Sequence, residues 1–443
     1  MNLLKRLSAT KIFAIVYFLI IIIGGVLLTL PVSSRTGSAT NFLDACFTAT
    51  SATCVTGLSV FNTYEYWSLF GQIVILCLIQ IGGVGFMTFA VTLVTVLRKK
   101  LSITNRTLMQ QSVSAPTIGE IVSLTKVIVF GTLAFEALGA LAYSFFYVPV
   151  LGALRGIYFS VFHSVSAFCN AGFDLMGITG EESLISVQGN IYFNIVTMLL
   201  IIIGGLGFFV WVDLWQSKFK FKLMRLHTKI VVTVSLFLIL FGAVLIFLLE
   251  TKAFQGMSFG KKVLLSLFQS VTARTAGFES VNIADMTQAS QMIIILLMLV
   301  GGSPGSTAGG FKTTTLGILF FNLISTVRKK TDVECFGRSV PAPVVKTVLT
   351  IFVIYVILTT GSAIAISRVE NIPMLSAMFE SSSALATVGL SLDLTSDLGV
   401  VSKLILMGLM YAGRVGPLTI FMAFSPDKFS NVSRLPNEEV RVG

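Results

Sequence analysis

Charge is scarce in this chain. Only 12% of its 443 residues are Asp, Glu, Lys or Arg, against roughly 25% in a soluble domain. His163 and His227 are the only histidines, too few for a metal cluster or a histidine acid–base site. The five cysteines (Cys46, Cys54, Cys77, Cys169, Cys335) are odd in number and form no C-x-x-C pair. No disulfide framework and no metal motif is read from them. An enzyme reading has no cluster of His, Cys or carboxylates within the apolar segments to carry it. The net charge of +11 is no nucleic-acid signal until its placement is known. What the chain does have is hydrophobic sequence, 55% of it, much of it in runs of about 20 residues, which marks an integral membrane protein.

The runs fall at 12–30, 69–97, 122–148, 191–215, 230–249, 292–327, 345–366 and 404–424, which gives eight spans. The opening M-N-L-L-K-R-L-S-A-T-K resembles a signal-peptide start. Its apolar run has no A-x-A site, so it is read as an uncleaved first helix. Four shorter elements, 42–53, 157–168, 263–273 and 374–385, cannot cross a bilayer. The order long, short, long occurs four times, so the repeats are taken as 1–100, 101–218, 219–330 and 331–443. Eight spans place both termini on one side. The loops on that side hold 21 Lys/Arg and the opposite loops 7, which puts both termini in the cytoplasm. The outer side is net acidic and would concentrate cations.

Each short element runs into a similar stretch: S-A-T-C-V-T-G-L (51–58), S-A-F-C-N-A-G-F (166–173), T-A-R-T-A-G-F (272–278) and S-A-L-A-T-V-G-L (383–390). Their glycines lie 115, 105 and 112 residues apart, the signature of an internal repeat. A half-span that ends inside the membrane must satisfy its backbone against protein or water. Glycine lets such a chain turn its carbonyls to one side. Four of these around an axis would give rings of carbonyl oxygens able to replace a cation's hydration shell, as in the T-V-G-Y-G loops of potassium channels. The side chains before the glycine differ among the stretches, which suits coordination by backbone. The candidate ion-binding residues are Thr53, Cys54, Val55, Thr56 and Gly57; Phe168, Cys169, Asn170, Ala171 and Gly172; Ala273, Arg274, Thr275, Ala276 and Gly277; and Leu385, Ala386, Thr387, Val388 and Gly389. Gly24, Gly25, Gly82, Gly83, Gly204, Gly205 and Gly242 are read as close-packing glycines.

One long run is interrupted by G-G-S-P-G-S-T-A-G-G (301–310). Five glycines and a proline exclude a continuous helix, at about 1 kcal/mol for each Gly and 3 for Pro. The candidate loop residues are Gly301, Gly302, Ser303, Pro304, Gly305, Ser306, Thr307, Ala308, Gly309 and Gly310, with Lys312 closing the loop. A P-loop reading of 305–313 fails on the intruding Phe311 and requires a preceding strand.

These stretches, with Q-I-G-G-V-G-F (80–86) and G-R-V-G-P-L-T (413–419), resemble the superfamily of Trk, Ktr and HKT potassium transporters. The likeness is nearest to the bacterial Ktr pore subunit (KtrB/KtrD-like) and covers essentially the whole chain. It implies an all-α polytopic membrane protein with eight transmembrane helices, in four outer helix–pore helix–inner helix repeats around one pore. It implies one potassium-selectivity glycine per repeat, and a gate at 301–310 in the third. Plant relatives that favour sodium often carry Ser in the first repeat, where this chain has Gly57. The resemblance further implies a bacterial cell membrane location and a homodimer on a cytoplasmic ring of nucleotide-binding KTN/RCK-type regulatory subunits. Any nucleotide would be bound by that partner, and K+ is the substrate. Channel-like inward flow is the first reading of function; a sodium-coupled secondary transporter is the alternative.

Ionisable residues inside apolar segments are functional candidates. Arg274 is expected behind the third stretch, braced by Glu279 or Glu380. Arg414 is expected to reach loop carbonyls across the cavity. Glu136 is open between a functional and a structural role. His163 is expected to be a satisfied core histidine.

Overall fold

The computed structural model describes residues 9–85, 120–180, 183–418 and residue 438. Four helix triplets follow one another. The first is α1 (Ala9–Thr29), α2 (Phe42–Cys54) and α4 (Leu69–Val84), with a single turn α3 (Thr63–Tyr66) before α4. The second is α5 (Glu120–Leu151), α6 (Ala153–Cys169) and α7 (Ile191–Leu206), continued by α8 (Phe208–Gln216). The third is α9 (Leu226–Leu249), α10 (Phe259–Thr272) and α11 (Gln288–Leu299), and it resumes as α12 (Thr313–Val327). The fourth is α13 (Ala342–Glu370), α14 (Met374–Ala386) and α15 (Val400–Val415).

Side-chain caps start the third member of three triplets. Ser68 Oγ accepts from Gly71 N–H at 3.3 Å, Asn190 Oδ1 from Phe193 at 3.0 Å and Thr287 Oγ1 from Ser290 at 3.2 Å. These satisfy donors that a helix start leaves free. In the fourth, Glu370 Oε1 takes the Gly399 N–H at 2.9 Å instead.

Val127–Leu151, Leu226–Leu249 and Ala342–Glu370 are long and apolar enough to cross a membrane. Their outward side chains are large and exposed, among them Phe130, Phe145, Phe237 and Ile357. Against this, α2 is buried on all sides from Ala45 to Cys54. An apolar exterior around small, polar, buried helices is the pattern of a chain solvated by lipid.

The triplets close on themselves. Each first helix packs along its own short second helix. Each third helix then packs on the next triplet's short helix: α4 on α6, α7 on α10, α11 on α14 and α15 back on α2. At this last seam Lys403 Nζ meets Asp44 Oδ1 at 2.9 Å, and the Tyr411 hydroxyl donates to the Ala14 carbonyl at 2.7 Å.

Several expectations need correction. A continuous helix over 191–215 is not formed: it breaks at Gly207 (φ 96°) and turns through 91°. The run 404–424 stops as a helix at Val415, before Gly416 (φ 95°); 419–424 lie outside the described residues. So does the second part of 69–97, where the helix runs to Val84 and Gly85 follows at φ 87°. The cause is common to all three: G-G-V-G, G-G-L-G and G-R-V-G each end in a glycine with φ positive, which an α-helix cannot continue. The element leading into the 301–310 loop is the helix α11 and not a strand, so the P-loop reading falls. A short hairpin, β1 (Val333–Cys335) with β2 (Arg338–Val340), pairs antiparallel beyond α12, where sequence reading placed only a basic loop.

Candidate ion pathway

The four glycine stretches meet in one ring. A Cβ on Gly57 would stand 2.8 Å from the Ala171 carbonyl oxygen, and one on Gly172 would stand 2.8 Å from that of Ala276. A Cβ on Gly277 would collide with the Val388 carbonyl, and one on Gly389 with that of Thr56. The order 57, 172, 277, 389 and back to 57 is thus read from backbone contacts alone. All four glycines have positive φ, at 102°, 69°, 76° and 97°. An L side chain would be both strained and in collision there.

The residue two before each glycine is left-handed as well: Val55 (φ 57°), Asn170 (60°), Thr275 (74°) and Thr387 (52°). Three of the four are β-branched, the type least at ease in that region, at about 1–3 kcal/mol each. Sequence reading counted all four among the candidate ion-binding residues but did not give their conformation, because only Asn170 is of a type that favours it. In the first, second and fourth stretches the geometry is set by the short helix itself. Thr56, Ala171 and Val388 donate their N–H to Ser51, Ser166 and Ser383 carbonyls, each at 2.8 Å.

The ring borders one cavity lined also by Asp174, Glu279 and Asp393. The 301–310 loop borders a second cavity, about 430 Å³, lined also by Lys312 and Arg414. The loop touches the ring stretches: Thr307 Oγ1 donates to the Phe168 carbonyl at 3.1 Å, and a Cβ on Gly310 would meet the Ala386 carbonyl at 3.1 Å.

The loop's backbone is satisfied partly within its own triplet, where Gly301 N–H donates to Phe311 O at 2.9 Å and Thr313 N–H to Gly302 O at 3.2 Å, and partly from elsewhere. Ser303 N–H donates to Gly205 O at 3.0 Å, Thr307 N–H to Gly204 O at 3.3 Å, and Gly305 O accepts from Phe208 N–H at 2.8 Å. These are groups that the break in α7 sets free, so the bent helix and the loop complete each other. Lys312 Nζ donates to Ala308 O (2.8 Å) and Gly309 O (3.1 Å). The Arg414 guanidinium donates to the carbonyls of Thr307, Gly82 and Gly83. Arg414 holds the place of the second glycine in G-G-V-G and G-G-L-G, so its side chain reaches where those triplets leave room.

Arg274 departs from expectation. It donates to Ser235 O (3.3 Å), Ser235 Oγ (3.2 Å) and Gly301 O (3.5 Å), and among the described residues it forms no ion pair. Glu380 is instead taken by Ser391 Oγ (2.6 Å), Leu392 N–H (3.0 Å) and Thr395 Oγ1 (2.9 Å). Glu279 Oε1 accepts from Ser391 N–H at 3.2 Å. A buried guanidinium can be satisfied by carbonyls as well as by a carboxylate, and an acid elsewhere in sequence gives no sign of which it will be. Glu136 lies behind the second stretch, accepting from Gln80 Nε2 (3.1 Å) and the Cys169 thiol (3.7 Å). In His163, Nδ1 is 3.0 Å from Phe159 O and Nε2 accepts from Leu175 N–H at 3.3 Å, so both ring nitrogens are satisfied in the core.

The sequence model of one family, TrkH, described as cation transport protein, matches residues 5–432. The chain belongs to that family. It is 39% identical to the potassium/sodium uptake protein NtpJ of Enterococcus hirae, over 99% of this chain and 98% of the relative. It is also 39% identical to the Ktr system potassium uptake protein B of Bacillus subtilis, over 99% and 97%. Among solved structures, the potassium transporter TrkH of Vibrio parahaemolyticus superposes with a TM-score of 0.74 over 95% of this chain and 86% of that one, at 19% identity. That likeness is one of fold. The chain is thus a TrkH-family pore subunit of the Trk/Ktr superfamily and a multi-pass membrane protein.

Proposed function

We propose that this TrkH-family chain is the potassium-conducting subunit of an uptake system. Four repeats of outer, pore and inner helix, eight spans in all, surround one path. K+ passes inward down the membrane potential through carbonyls of 53–57, 168–172, 273–277 and 385–389. The loop 301–310, held by Lys312 and Arg414, is the gate beneath them. The observation that carries this reading is the closed ring of four positive-φ glycines, each against its neighbour's carbonyl. It is supported by the buried hydroxyls of Thr53, Thr56 and Thr387, which have no protein partner among the described residues. With both termini inside, the cavity lined by Asp174, Glu279 and Asp393 is the outer mouth, and its acids would raise the local cation concentration. Both termini are cytoplasmic, and the subunit works as a homodimer on a nucleotide-binding ring; the word "system" in the name of one relative supports the presence of a partner subunit and no more.

Proteoliposomes of the purified chain test the reading. K+ should flow under a potassium gradient alone, with no sodium present. A second reading, sodium-coupled uptake, is favoured by the potassium/sodium name of the Enterococcus relative. It predicts that K+ flux follows an imposed sodium gradient. No K+ flux under either condition contradicts both. Co-purification with a nucleotide-binding subunit tests the assembly.

A further inference from the structure

The glycines of the ring are not anchored alike. In the first stretch Gly57 N–H donates to Ser51 Oγ at 3.0 Å, and in the fourth Gly389 N–H donates to Ser383 Oγ at 3.1 Å. Both serines are fully buried, and both stand six residues before their glycine. The second stretch has the same spacing, Ser166 to Gly172, yet the Ser166 hydroxyl is buried without a partner. In the third, that place is Val271, which has no hydroxyl. The hydroxyl there is one residue later, and Thr272 Oγ1 donates to Phe278 O at 2.7 Å instead. The Thr272 carbonyl alone takes both Ala276 N–H (2.9 Å) and Gly277 N–H (3.5 Å).

The peptide that donates at Gly57 is the Thr56–Gly57 unit, so the same peptide carries the Thr56 carbonyl. The Val388–Gly389 unit is likewise the peptide of the Val388 carbonyl. Fixing the N–H end of a planar peptide fixes the direction of its oxygen. Without that bond the peptide can rotate, and the oxygen with it. The two anchored peptides are neighbours in the ring, since a Cβ on Gly389 would strike the Thr56 carbonyl and stand 2.8 Å from Gly57 Cα.

We propose that Ser51 and Ser383 are positioning residues for ion selectivity, each holding one ring carbonyl by bonding the N–H of the same peptide. Ser166, in the equivalent place, does not act in this way. The inference rests on the filter reading above. It explains why a hydroxyl stands six residues before the glycine in three stretches and is bonded to it in two.

The test compares Ser51→Ala, Ser383→Ala and Ser166→Ala, with Ser51→Thr as the conservative variant and Gly57→Ser as the reference for the filter. The readout is the ratio of K+ to Na+ uptake, which does not depend on how much protein reaches the membrane. A neutral hydrogen bond of this kind corresponds to about a two- to tenfold change. Ser51→Ala and Ser383→Ala should lower the ratio by that amount, Ser51→Thr should restore it, and Ser166→Ala should leave it within about twofold. If both alanine variants keep the wild-type ratio while Gly57→Ser loses it, the proposal is wrong and the filter stands. An equal fall in Ser166→Ala also overturns it, because that hydroxyl makes no such bond. If Gly57→Ser too keeps the wild-type ratio, the filter reading fails first and takes this inference with it.

Discussion

The ring stretches 53–57, 168–172, 273–277 and 385–389 and the loop 301–310 are both irregular backbone enclosed by helices, but their polar groups are satisfied from different places. Ring N–H groups bond within their own triplet, at 2.8 Å to the carbonyls of Ser51, Ser166 and Ser383. The loop bonds within its own triplet through Phe311, Lys312 and Thr313, and also across triplets: to Gly204 and Gly205 of α7, to Phe168 of the second stretch and to Arg414 of α15. A segment that is satisfied locally moves only with its helix. One satisfied by its neighbours is placed by them, and shifts when they shift. That contrast suits a fixed filter and a movable gate.

The largest way to break the contrast is at Gly389. A side chain there meets the Thr56 carbonyl at a φ of 97°. Displacing that backbone at about 1–3 kcal/mol should lower K+ over Na+ preference roughly ten- to hundredfold in Gly389→Val, measured by competitive uptake. Next is Arg414→Ala. Charged hydrogen bonds of about 1.5–3 kcal/mol hold the loop, so K+ flux should rise about ten- to a hundredfold with ion preference intact. Uptake in a strain lacking its own potassium transport reads this directly. Thr307→Val removes the weaker neutral bond to Phe168 O, and flux should rise only about two- to tenfold. A change in preference instead would assign the loop to the filter. The smallest effect on transport is expected at the seam. The Lys403–Asp44 pair is mostly buried, so Lys403→Met should lower thermal stability by about 3 kcal/mol or more while leaving preference and flux unchanged. A selectivity loss there would mean that ring closure, not local bonding, sets the carbonyl positions.

The sequence made the four-fold plan legible because the glycine stretches recur at near-constant spacing and each follows a short apolar element. The loop was legible for a similar reason, since five glycines and Pro304 leave no helix to form between Leu299 and Thr313. The family likeness that these motifs carried is matched over residues 5–432. Other features left no local trace. Left-handed Val55, Thr275 and Thr387 run against the preference of their side chains, and only the surrounding packing imposes them. Gly207 carries no signal of its own in the sequence, and Gly204 and Gly205 read as packing glycines until the loop is seen to use the carbonyls that the bend at Gly207 exposes. Arg274 finds Ser235, 39 residues away, because tertiary packing brings α9 behind the third stretch. The one-residue offset between Thr272 and the serines is visible in sequence, but its consequence for the Gly277 N–H is not.

The central claim is that preference and flux reside in separate places. Both quantities measured together in proteoliposomes, for Gly57→Ser and Arg414→Ala against the unaltered chain, test it most directly. The account predicts that Gly57→Ser lowers K+ over Na+ preference, and that Arg414→Ala raises K+ flux at unchanged preference. A Gly57→Ser protein with unaltered preference, or an Arg414→Ala protein that changes preference without a rise in flux, would contradict it.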